Sequence, residues 1–179
     1  MTSVEYKFRV IEGGECGHGA DVSDVADAIR ERARRIFTRD GYHWPMAMVL
    51  SRVPGGLAPT IISPESSINE QGSKTAFLTA VKRLIKEHKG VAVITVTEAW
   101  KLVGQTAEEW LADANHRPMR LHPERLEILG VTLETRGGAQ GWSAPILRDG
   151  AEPTLGEWQR SGSLLVGSFC ELLEERPRA

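Results

Sequence analysis

The chain has 179 residues, 41% of them hydrophobic and 26% charged, with a formal net charge of −2. That length suits one domain with enough apolar material for a real core. The small net charge excludes a global attraction to nucleic acid or to anionic membrane. Two cysteines, Cys16 and Cys170, make no disulfide framework, so a reducing compartment is expected. No apolar run approaches the roughly 20 residues of a membrane helix. The first residues alternate charged and apolar types without a hydrophobic signal core. A cytoplasmic protein is the expectation, with no membrane partner.

In chain order, residues Val4 to Ile11 alternate, Val4, Tyr6, Phe8 and Val10 against Glu5, Lys7 and Arg9, which predicts a half-buried strand on an edge. A glycine-rich turn follows. The next stretch, Val22 to Thr38, carries Val22, Val25, Ala26, Ile29, Ala33, Ile36 and Phe37 at helical spacing, with Asp21 or Ser23 as cap. Met46–Val53 and Leu57–Ile62 flank a Pro54-Gly55 step, which predicts a hairpin with a type II turn. Ser73 is the expected cap of a second helix over 74–88, which Gly90 ends. Val91 to Val96 is the most β-branched run. Thr106 to Glu109 reads as a capping box opening a short helix. Leu126–Thr135 and Trp142–Leu147 read as strands around a turn at 137–141, and 153–161 as irregular. Ser163 opens a final helix with Leu165, Phe169, Leu172 and Leu173 on one face.

This order predicts a single α+β domain. Its sheet is mainly antiparallel, with about five or six strands, and its helices lie mainly on one face. Residues 1–20 supply an N-terminal strand and turn, and 151–179 a C-terminal extension. The order of elements resembles that of profilin-like and Roadblock-like domains, a likeness that establishes no function.

Few residue groups read as chemistry. GGECGHG lacks the spacing of a phosphate loop, and Asp21, Asp24 and Asp27 place negative charge where a phosphate would sit. Cys16 and His18 have no second ligand pair, so no metal and no cofactor is expected. There is no G-x-S-x-G, and Cys170 on an apolar helix face reads as a core residue. Lys74, Lys82, Arg83, Lys86 and Lys89 form a basic helix face. Charged outer faces are commonly just solvated, and the acidic balance opposes nucleic acid while leaving it open.

What remains is Thr97-Glu-Ala-Trp100 at the end of one strand and His122-Pro-x-Arg125-x-Glu127 at the start of the next. Alternation puts Glu98 and Trp100 on one face, and Arg125 and Glu127 likewise. The preferred reading is a structural clamp, in which Glu98 or Glu127 holds Arg125 in a bidentate pair with Trp100 packed over it. The alternative is a hydrolase-type site in which His122 acts as general acid or base beside Glu98 or Glu127. With Trp110, Trp142 and Trp158 near loops, where aromatics often anchor interfaces, the favoured function is non-catalytic protein contact, including a homo-oligomer.

The T-E-A-W and H-P-x-R-x-E-x-L steps, the latter running from His122 to Leu129, resemble a set of small bacterial and phage-encoded proteins of uncharacterised function. The resemblance extends over roughly residues 40–135. It implies phage association, and it carries no known activity, so no catalytic residue is transferred from it.

Overall fold

The computed structural model describes residues 6–14, 16, 19–65, 71–103, 108–110, 112, 121–161 and 172–173. Ten elements follow in order: β1 (Phe8–Glu12), α1 (Val22–Asp40), β2 (Met46–Val53), β3 (Gly56–Pro64), α2 (Gln71–Glu87), β4 (Gly90–Lys101), β5 (Leu126–Thr135), β6 (Gly138–Leu147), β7 (Thr154–Leu155) and β8 (Gln159–Ser161). The strands form one antiparallel sheet in the order β1-β3-β2-β4-β5-β6, with β7 and β8 both paired to the outer side of β6. The sheet curves as a half-barrel. It therefore has eight strands, not five or six. The extra strands come largely from 154–161, where the sequence carries too few residues per strand to show a period of two.

Local signals explain most boundaries. Asp21 caps α1 reciprocally: its carboxylate accepts from the Ser23 and Asp24 amides, and the Asp24 carboxylate accepts from the Asp21 amide. Gly41 ends the helix in the left-handed conformation (φ 74°), its N–H donating to the Phe37 carbonyl at 2.8 Å. Two expectations fail locally. Positive φ at the β2–β3 link falls on Gly56 (143°) and not on Gly55, so the link is not a type II turn. Helix α2 starts at Gln71, so Ser73 is a buried residue of its first turn and not the cap. Gly90 opens β4 because a Cβ there would lie 2.7 Å from Val49 Cγ1.

The helices lie on opposite faces of the sheet, against the one-face expectation. Val25, Ala26, Ala33 and Phe37 of α1 pack on Met48, Leu50, Ala92, Ile94, Val96, Leu129, Val131 and Leu133. Phe77, Val81 and Leu84 of α2 pack on Ala47, Val49, Ile62 and Val93 from the other side. Topology dictates this. β1 and β2 run parallel, separated by β3, and α1 joins them; β3 and β4 run parallel, separated by β2, and α2 joins them. The two crossovers step the same way across the sheet from strands of opposite direction. With one common handedness, their helices must fall on opposite faces.

Both faces of β2 and β4 are therefore buried, which accounts for their near-continuous apolar runs. On the α2 side, the buried Glu134 carboxylate accepts the amides of Leu172 (3.0 Å) and Leu173 (2.8 Å). That contact pins Leu172 and Leu173 to the sheet. The predicted final helix lies outside the described residues, apart from Leu172 and Leu173, which are not helical. The predicted 106–114 helix is described only at 108–110 and 112, all helical.

Candidate functional site

β4 runs further than its apolar core, so Thr97 to Trp100 lies inside the strand. Its ladder with β5 sets Glu98 opposite Leu129 and Trp100 opposite Glu127. Glu98, Trp100 and Glu127 consequently project from the α1 side, at the end of the sheet where β2 begins.

The residues singled out in the sequence do gather there, but with other partners. The Arg125 guanidinium lies over the Trp100 ring at 4.9 Å, as expected. The carboxylate pairing differs. Glu127 gives both oxygens to Arg148, with Nε at 2.7 Å and Nη2 at 2.5 Å, instead of to Arg125. Arg148 follows β6 on the same side of the sheet and reaches Glu127 more directly. Arg125 instead closes its own turn: its backbone N–H (3.3 Å) and Nη1 (2.9 Å) both donate to the His122 carbonyl. His122 Nδ1 accepts the Glu124 amide at 3.2 Å. The His-Pro-x-Arg step is thus a compact turn folded around one carbonyl.

Glu98 accepts the His43 amide at 2.5 Å. Burial pushes its carboxyl above the usual glutamate range, and the Glu127 charge adds to this; the His43 hydrogen bond and Arg148 oppose it. The buried His43 ring, its Nδ1 2.7 Å from the Trp44 carbonyl, is held below the usual histidine value by burial. On either side of His43, Tyr42 and Trp44 form an edge-to-face pair at 5.9 Å. Both are exposed, as is Trp100. Sequence reasoning gave Tyr42, His43, Trp44 and Arg148 no part in the site. The signal present was three consecutive ring residues directly after a helix-ending glycine.

The other tryptophans read differently from expectation. Trp142 and Trp158 are half-buried against the α1-side core, and arginines of α1 cover them: Arg30 over Trp142 at 5.1 Å, Arg34 over Trp158 at 5.6 Å. Arg34 also donates to the Gly156 carbonyl at 2.8 Å. Trp110 is half-buried as well. The basic faces do not combine. Arg32, Arg35 and Arg39 of α1 lie on one side of the sheet, and Lys82, Arg83 and Lys86 of α2 on the other. Among the described residues, no three His, Cys, Asp or Glu side chains are placed to hold a metal ion; His18 and Cys170 lie outside them. No described helix is long and apolar enough to cross a membrane.

An antiparallel sheet with one helix on each face, and an aromatic and charged cluster at one corner, defines an α+β sheet protein. Over residues 5–174 the chain matches the family model of bacteriophage lambda protein ea47, and it belongs to that phage protein family. The match runs well beyond the 40–135 span of the motif resemblance on both sides. No curated protein and no solved structure matches the chain.

Proposed function

We propose that this is a non-catalytic phage-associated protein of the bacterial cytoplasm that works by binding another protein through the corner formed by Tyr42, Trp44, Trp100 and Arg125. The observation carrying this reading is the exposure of three aromatic side chains beside an arginine at one end of the sheet. Aromatic residues and arginine are the types that dominate binding energy at protein interfaces. The surrounding contacts hold this surface rigid. Glu98 ties the Tyr42–Trp44 segment to β4, the His122 turn sets Arg125 on Trp100, and Arg148 locks Glu127. In this reading the motif residues are a clamp that presents the aromatics, in line with the low cost of ordering rings already fixed. The hydrolase alternative would need Glu98 as the partner of His122, since Arg148 holds both Glu127 oxygens.

The test is co-purification from phage-infected bacteria with wild-type protein, Trp44→Ala and Trp100→Ala. A partner held by the wild type should be lost with either variant, about 2 kcal/mol or more of binding per ring, while circular dichroism stays unchanged. Equal retention of the partner by folded variants would sink the idea.

A further inference from the structure

The two ends of the sheet are finished differently. At the β6 end, β7 and β8 pair along the outside, and Pro145 turns its donor-less nitrogen to that side while its carbonyl accepts the Gly156 amide at 2.9 Å. At the β1 end, no strand among the described residues pairs outside β1. Four of its five residues are exposed, including Val10 (45%) and Ile11 (50%), which point to opposite faces. An open edge of this kind is a template for another strand.

The phase of the ladder says which groups are offered. Glu65 N–H donates to the Lys7 carbonyl at 3.0 Å, and Gly13 N–H to the Pro59 carbonyl at 2.9 Å. Bonded residues alternate in an antiparallel ladder. Lys7, Arg9, Ile11 and Gly13 therefore face β3, and Phe8, Val10 and Glu12 turn N–H and C=O outward. Outward groups from one strand can meet those of an identical strand about a two-fold axis. The same alternation requires that axis to pass through a residue facing itself.

Five centres are available. At Phe8 the centre sets Lys7 opposite Arg9, at Arg9 two guanidinium groups meet, and at Glu12 two carboxylates; like charges directly opposite are unfavourable. At Ile11 the centre falls on an unbonded pair and Phe8 runs past the end of the partner strand. At Val10 no like charges meet: Phe8 faces Glu12, Arg9 faces Ile11, and every outward group of the strand is bonded. We propose that β1 joins two copies of this chain edge to edge, antiparallel and centred on Val10, which makes one continuous sheet. This is protein contact of the kind proposed above, but along the outer edge of β1, which β3 separates from β2 and its aromatic corner. Its failure would leave the aromatic corner to its own variants.

Sedimentation equilibrium of the full chain, from micromolar towards millimolar, tests it with Val10→Pro. Proline at Val10 removes an outward donor and leaves the bonds to β3 in place. Wild type should dimerise, and Val10→Pro should weaken the dimer at least about tenfold, since both copies lose a hydrogen bond. A wild type that stays monomeric, or a folded Val10→Pro variant that dimerises as well, would overturn it. If the variant does not fold, hydrogen exchange on wild type decides. The Phe8, Val10 and Glu12 amides should exchange more slowly in concentrated than in dilute samples, and concentration-independent rates would reject the edge.

Discussion

At the scale of the residue, the corner is controlled by a carboxyl that would rather be neutral. Glu98 is half-buried and its pKa is raised, chiefly by burial. A carboxyl with a folded value above its unfolded one favours the folded state most when protonated. Its contribution is full below the ordinary glutamate value and declines as pH rises through the raised one. Glu98→Gln keeps an oxygen to accept the His43 amide but cannot ionise. In urea unfolding across pH 4 to 8, the variant should therefore gain on wild type as pH rises and lose its advantage in acid. A difference independent of pH would mean that Glu98 is not the titrating group. Alternation along two paired strands is enough to set Glu98, Trp100 and Glu127 on one face, and the turn before β5 brings Arg125 over Trp100. The sequence could not assign partners. Arg148 lies 21 positions from Glu127, and only the β5–β6 register brings the two within reach.

At the scale of the element, long segments with agreeing signals were legible and short ones were not. β2 and β5 have the bounds their apolar runs predict, and α1 runs only two residues past expectation, to the Gly41 stop. β4 was underestimated, since the polar Thr-Glu-Ala-Trp step hides the continuation of the strand. β7 and β8 were missed because they exist through pairing with β6, with no pattern of their own. The same dependence governs Leu172 and Leu173, which the sheet holds through Glu134. A buried carboxylate accepting two amides is a strong anchor. Glu134→Ala should cost about 3 kcal/mol, from two hydrogen bonds to a charged group, and should speed proteolytic trimming of the C-terminus. A loss under about 0.5 kcal/mol, with cleavage unchanged, would show that the anchor holds little; that is the range of an ordinary surface substitution.

At the scale of the whole molecule, burial grades outward from β2, β4 and β5, which lie at the middle of the sheet. Their amides should exchange slowest with solvent hydrogen, and those of β7 and β8 among the fastest. Uniform protection across the sheet would contradict that gradient. The fold class was legible from helix and strand patterns, yet the side on which each helix lies was not. That depends on strand order, and nothing local in Val22–Asp40 or Gln71–Glu87 encodes it. The β4–β5 ladder has a further consequence. Its ten paired positions run up to Lys101 and Leu126, so residues 102–125 join two strand ends already fixed side by side, with Arg125 stacked on Trp100 at the mouth. Closure entropy grows only with the logarithm of length, and doubling such a connection costs about 0.6 kcal/mol. A change of length between Lys101 and Leu126 is therefore expected to leave the ladder in register.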